Sequence, residues 1–313
     1  MKHDTQALPL LLGAAATLLS VTFDLLPGRA TEPSKRVQQA MPPDRRLVAQ
    51  GERLVLMNCA HCHGNNEGRL TGQPIGGVSA SLGRIVSANI TNDSVQGIGR
   101  WSDAQLITLL RTGIGPSRHK AHFIMPRYPL LADADMRAIV AFLRSNEYAV
   151  QSAPYTGPAH KPSLLSGFIA TFFIKRLPEP VAPIPLPDTT NPALYGRYLV
   201  NSRYQCFSCH SANVQKINLL RPEETKGYLA GGSEFDDADG KPVYSANLTR
   251  DQETGFGQYT LAEFSEVMQL GKKRNGQIVR SPMLPYPLMN GREIKAIYHY
   301  LKSIPAVPHL VDR

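Results

Sequence analysis
The stretch NCAHCHG at 58–64 sets two cysteines three residues apart directly before a histidine, and QCFSCHS at 205–211 repeats the pattern. The chain holds four cysteines in 313 residues, and these two motifs use them all. A structural zinc site takes four ligands, commonly two Cys pairs or a Cys pair followed a dozen residues later by a His pair. Here the two Cys pairs lie 147 residues apart, and each is followed directly by a single histidine. A redox dithiol needs no histidine at that place and belongs with a βαβ pattern that this sequence lacks. C-x-x-C-H is instead the spacing of c-type haem attachment, in which both thiols add to the porphyrin as thioethers and the adjacent imidazole takes the iron. The expected cofactors are two covalently attached haem c groups, one on Cys59, Cys62 and His63 and one on Cys206, Cys209 and His210.

The motifs sit inside a longer internal repeat. At an offset of 158, SANITND (87–93) overlays SANLTRD (245–251), and MPRYPLL (125–131) overlays MLPYPLM (283–289). Upstream, GERLV (51–55) matches GRYLV (196–200) at 145, and the cysteines match at 147, so the second copy carries two additional residues before its cysteines and 11 between its histidine and Ser-Ala-Asn. Each copy reads as a helix bearing the motif, a Gly-rich loop, a middle helix, a Pro-rich loop and a last helix. The middle helices open with capping boxes, Ser102 with Gln105 and Thr260 with Glu263, and Asn290 with Glu293 opens the last helix of the second copy. Behind them Leu106, Leu109 and Leu110, or Phe264, Val267 and Met268, recur at helical spacing; the last helices carry Met136, Ile139, Val140 and Leu143, or Ile294, Ile297, Tyr298 and Leu301. No segment reads as a strand, so the class is all-α: a first domain at 46–147 and a second at 192–313.

The connector at 148–191 is apolar and then proline-rich. Prolines at 178, 180, 183, 185, 187 and 192 forbid a helix and favour an extended strap. The preceding run Leu164–Ile174 is too short to span a bilayer; packing against a domain is the favoured reading, and lying in a membrane interface with Lys175 and Arg176 at the headgroups is the other. At the N-terminus an uncharged run from Thr5 to Phe23 follows Lys2, and Gly28-Arg29-Ala30 offers small residues for cleavage. Residues 1–30 thus read as a signal peptide or N-terminal membrane anchor, with the protein periplasmic, soluble or tethered to the inner membrane. The net charge of +9 suits an acidic partner or an anionic membrane face, whereas the single Trp and the absence of aromatic and basic interleaving give no sign of nucleic acid.

An iron held by one histidine keeps a free axial position, and its occupant decides between electron carriage and small-molecule chemistry. Candidates are Met125, Met136, His119 and His122 in the first copy, and Met268, Met283 and Met289 in the second. Only Met125 and Met283 superpose in the repeat, each beside a proline and ahead of Tyr-Pro-Leu, which points to His63/Met125 and His210/Met283 as the axial pairs. Met136 and Met268 fall on apolar helical faces where packing explains them. Trp101 aligns with Tyr259, as a haem propionate donor or a capping aromatic, and Asn89 aligns with Asn247, as turn residues. The acidic EFDDADG (234–240) reads as a solvated loop in the 11-residue insertion, and Lys272, Lys273 and Arg274 as a basic patch for an acidic partner.

SANITNDSVQGIGRWSDAQLITLLRTGI (87–114) and MPRYPLLADADMRAIVAFLRS (125–145) resemble the cytochrome c domains of membrane-bound bacterial alcohol and gluconate dehydrogenase complexes. The likeness extends over 48–147 and, in weathered form, 192–306. It implies two tandem class I cytochrome c domains joined by the Pro-rich linker, and a chain that carries no catalytic residues of its own. It further implies electron transfer between redox partner proteins, a periplasmic dehydrogenase as donor and an oxidase or quinone-linked acceptor leading to the respiratory chain. Those cytochrome subunits generally have three haem domains; this chain has two. The alternative class is a di-haem cytochrome c peroxidase or oxidase, which requires one haem without a strong sixth ligand.

Overall fold
The computed structural model describes residues 45–309, apart from 77, 119, 173, 174 and 238. The N-terminal segment 1–30 and the ligand candidate His119 lie outside the described residues. In the first half, α1 (Arg45–Asn58) runs into a single turn, α2 (Ala60–His63), followed after a long loop by α3 (Asp103–Thr112) and α4 (Asp133–Leu143). After α5 (Leu164–Phe172) and the strap, the second half repeats the order with α6 (Pro192–Tyr198), a π-helical turn (Leu199–Arg203), α7 (Cys206–His210), α8 (Leu261–Leu270) and α9 (Gly291–Ser303).

All three capping boxes form, each with the side chain of the cap accepting the third backbone N–H and the third side chain reaching back. Such caps define where each helix starts and therefore which face turns inward. Met136, Ile139, Val140 and Leu143 of α4 are buried, as are Ile294, Ile297 and Leu301 of α9. Their partners are α1 and α6, and in both halves a glycine lets the backbones meet. A Cβ on Gly51 would lie 1.8 Å from the Ala138 carbonyl oxygen, and one on Gly196 would lie 2.1 Å from that of Ala296. These four residues correspond within the repeat, so both halves use one helix crossing.

The chain is mostly helical, with a correction to the all-α reading: β1 (Gly83–Arg84) pairs antiparallel with β2 (Lys161–Pro162), and β3 (Glu234–Asp236) with β4 (Pro242–Tyr244). The second pair occupies the insertion read as a solvated loop. Its turn is held by the Asp237 carboxylate, which accepts the N–H groups of Asp239 and Lys241 at 3.0 and 2.9 Å. Short strands with no period-two apolar pattern leave little trace in a sequence.

The strap is extended as its prolines require, and it lies on the first half: Leu177 N–H donates to Thr112 O (3.1 Å), and Asp133 N–H donates to Ile184 O (2.9 Å). The two halves also touch directly, Gln205 Nε2 donating to Arg127 O (2.7 Å) and Ala132 N–H to the Tyr198 hydroxyl (3.2 Å). The favoured reading of α5, covered by a domain, is met only along its serine side. Ser166 is buried, while Leu164, Phe168 and Phe172 are 95%, 52% and 66% exposed.

Candidate haem sites
Each C-x-x-C-H motif occupies the turn just beyond a long helix rather than the helix itself. Cys59 N–H still donates to Val55 O (2.8 Å); the chain then tightens, with His63 N–H on Cys59 O (2.9 Å) and Gly64 N–H on Ala60 O (2.7 Å). That turn brings Cys59, Cys62 and His63 together, and α7 does the same for Cys206, Cys209 and His210. All four cysteines are free. Burial in apolar surroundings pushes the Cys59 and Cys206 thiols up to about 12, the neighbouring motif cysteine adding to the effect in each case. A redox dithiol needs the opposite shift. Among the described residues no cluster of three or more His, Cys, Asp or Glu is placed to hold a metal ion.

The histidines are oriented alike. His63 Nδ1 is 2.7 Å from the Ala88 carbonyl oxygen and His210 Nδ1 is 2.8 Å from that of Ala246. A carbonyl can only accept, so Nδ1 carries the proton and Nε2 keeps its lone pair for a metal. Burial lowers the His63 pKa, overcoming the Ala88 carbonyl that favours the charged form, so the imidazole stays neutral as ligation requires. Ala88 and Ala246 are the central residues of the repeated Ser-Ala-Asn, whose asparagines hold the loop. Asn89 and Asn247 accept the N–H of Thr91 and Thr249 at 2.9 Å and donate to Ala153 and Val307 carbonyls at 2.7 and 2.8 Å.

Met125 and Met283 are half-buried against the apolar core, on loops built by corresponding bonds. Met125 N–H donates to His122 O (2.9 Å) and Met283 N–H to Arg280 O (3.0 Å); three residues on, Tyr128 N–H donates to Leu110 O and Tyr286 N–H to Met268 O. Met136, Met268 and Met289 are buried core residues. His122 is half-buried, its Nε2 3.1 Å from Ser166 Oγ of α5. Tyr259 stacks on Phe256 beside Phe264 and Tyr298, and the Trp101 ring lies over Gly115. Of the basic patch, Lys272 pairs with Glu266 (3.1 Å) and Arg274 with Glu263 (3.0 Å), so much of its charge is neutralised locally.

Two observations test whether haem suits these residues. A small cavity lies against Cys59, walled by Leu54, Leu110, Tyr128, Leu131 and Ile139 and bordered by Arg203 from the second half. Beside Cys206, the Tyr204 hydroxyl is the one buried side-chain polar atom among the described residues with no partner. A buried hydroxyl left unpaired costs about 1–3 kcal/mol; this one stands among the charges of Glu293, Arg203 and Arg53, with its ring edge-on to Tyr286 at 5.4 Å. Two thiols, an imidazole held at Nδ1 by a carbonyl and an apolar wall make a donor set that fits haem c. Sequence reading missed Arg203, Tyr204 and the carbonyls that orient the histidines; the alignment of Ala88 with Ala246 was the available signal.

Residues 48–147 match the family model described as Cytochrome c. Over 95% of its length the chain is 28% identical to one subunit of the nicotinate dehydrogenase of Pseudomonas putida, covering 24% of that protein. It is 27% identical, again over 95%, to the cytochrome c subunit of the quinone alcohol dehydrogenase of Gluconobacter oxydans, covering 60%. It is 26% identical over 83% to the diheme cytochrome c-type protein of Cereibacter sphaeroides, covering 86%. The chain therefore spans only about a quarter and three-fifths of the first two.

Proposed function
We propose that this chain, whose residues 48–147 are a cytochrome c domain, is a di-haem c-type cytochrome that carries electrons from a periplasmic dehydrogenase toward the respiratory chain. The observation that carries the reading is the duplicated tether of His63 to Ala88 and His210 to Ala246, at 2.7 and 2.8 Å, each beside a pair of unpaired thiols. Haem, when bound, supplies a one-electron couple at iron. Cys59 and Cys62, and Cys206 and Cys209, would hold it through their sulfurs, and His63 with Met125, and His210 with Met283, would be the residues that ligate its iron. The apolar wall at Cys59 would exclude water from the group held there, which would tune its potential.

The exposed face of α5 supports a peripheral contact with an anionic membrane. Leu164, Phe168 and Phe172 project from a helix followed by Lys175 and Arg176, and apolar area next to basic residues is what such surfaces bind. No described helix is long and apolar enough to cross a membrane.

Carbon monoxide tests the closed-iron reading. Spectra of the reduced protein should not change on adding the gas, and Met125→Ala or Met283→Ala should each open one iron to it. Gas binding by the unaltered protein would favour a di-haem peroxidase or oxidase instead.

A further inference from the structure
The repeat is broken at one place. Through Val200 the second half follows the first at an offset of 145, and at the cysteines at 147. The two additional residues fall between Val200 and Cys206, where the chain forms the π-helical turn Leu199–Arg203, closed by Tyr204 N–H donating to Leu199 O at 2.9 Å, and then a left-handed residue, Gln205. Such turns are insertions into an α-helix and often sit at functional sites. The residue that ends this one, Arg203, is buried, its side chain 3% exposed.

The rest of the boundary between the halves is reciprocal. Asp135 and Glu293 correspond at the offset of 158, and both side chains are fully buried. Gln50 donates to Asp135 in its own half (2.7 Å), and its counterpart Tyr195 donates to Glu293 in its own (3.5 Å). Arg53 reaches across to Glu293 (2.6 and 3.0 Å), and its counterpart Tyr198 reaches across to Asp135 (2.5 Å). Arg203 serves both carboxylates: Nε and Nη2 bond Asp135 at 2.7 and 2.6 Å, and Nη1 bonds Glu293 at 2.6 Å. The same side chain borders the cavity at Cys59, although its backbone lies three residues before Cys206.

Two arginines and two carboxylates cancel in formal charge, so the network gives neither crevice a net charge. What differs between the halves is that Arg203, which has no counterpart in the first half, borders the cavity at Cys59. A guanidinium at that wall, in surroundings of low dielectric, favours an added electron there. Burial opposes the charge on Arg203, yet Asp135 and the other partners hold it protonated, and Glu293 is held below the ordinary glutamate range by Arg53 and Arg203 against its own burial.

We propose that Arg203, delivered by the inserted π-turn, is a positioning residue that makes the two haem sites inequivalent, raising the potential of the site at His63 relative to that at His210. The proposal rests on the di-haem reading. It gives the duplicated protein a built-in direction: two sites with the same ligand set are separated in potential by one side chain that the first half lacks.

The test is a spectroelectrochemical titration of the haem-loaded full chain, comparing unaltered protein, Arg203→Gln, Arg203→Lys and Arg53→Gln. Arg203→Gln should lower one wave and leave the other nearly in place. The electron distribution between the sites should shift at least tenfold, which is 59 mV for one electron. Arg203→Lys, which keeps the charge, should restore most of the separation. Arg53→Gln, which loosens Glu293 but does not border the Cys59 cavity, should leave it unchanged. If Arg203→Gln does not assemble, Arg203→Gln with Asp135→Asn removes the guanidinium without stranding a carboxylate and carries the same comparison. Waves that stay put or move together in a protein holding two covalent haems overturn the proposal; unaltered protein with fewer than two overturns the di-haem reading instead.

Discussion

Alanine at Gly51 should lower stability, although the same substitution in an open helix raises it by roughly 0.5–1 kcal/mol through backbone entropy. The added methyl would stand 1.8 Å from the Ala138 carbonyl oxygen and 2.8 Å from Phe142 Cβ. Neither can swing aside, because one is backbone and the other is the root of a fully buried ring. The helices α1 and α4 must therefore part by about 1.5 Å, losing close contact along the whole crossing. Overpacking of this kind costs about 3 kcal/mol at the upper end of its usual range; less the entropic gain, about 2 kcal/mol remains. At roughly 2–4 °C per kcal/mol, thermal unfolding followed by circular dichroism should show a fall of about 4–8 °C. Gly167→Ala, on α5 with nothing within 4 Å of the new methyl, serves as the opposite case and should leave the midpoint level or slightly higher. If Gly51→Ala unfolds at the temperature of the unaltered protein, the crossing that sets the first crevice is wrong.

Three further outcomes are expected. Met125→Ala and Met283→Ala should each remove part of the near-infrared methionine-to-iron absorption of the oxidised protein, and retention of the full band in both rejects the axial assignment. Glu293 has a folded pKa below its ordinary 4.5, so its contribution is fully present above that value and is lost as pH falls through the lower folded one. Glu293→Gln should cost about 3 kcal/mol at neutral pH, as breaking a buried pair does, and should flatten the acid limb of a stability-against-pH curve; an equally steep limb contradicts the network. Phe168→Ser with Phe172→Ser should weaken binding to anionic vesicles in a flotation assay, and unchanged binding places the membrane contact elsewhere.

How much of this was legible in the sequence depends on the range of the interaction. Capping boxes at Ser102, Thr260 and Asn290 are local, three-residue signals, and the structure has all of them. The helical stripes through Met136–Leu143 and Ile294–Leu301 gave the buried faces for the same reason. Proline chemistry gave the extended strap but not where it lies, since its bonds to Thr112 and Asp133 join residues far apart in sequence. The boundary network was invisible for a similar reason: its members Arg53, Asp135, Arg203 and Glu293 are far apart in sequence, and Glu293 read as a cap alone. The one available clue was that Asp135 and Glu293 occupy the same repeat position on otherwise apolar faces. The hairpin at 234–244 went unseen because a side-chain turn at Asp237, rather than strand propensity, holds it.

The most direct test of the account is the intact mass and pyridine haemochrome content of the native protein after denaturation in acid, which strips haem that is not covalently held. The account predicts two haem groups per chain still attached, and loss of one of them in each of the variants Cys59→Ser with Cys62→Ser and Cys206→Ser with Cys209→Ser. A chain that carries no attached haem, or keeps two when either cysteine pair is removed, contradicts it.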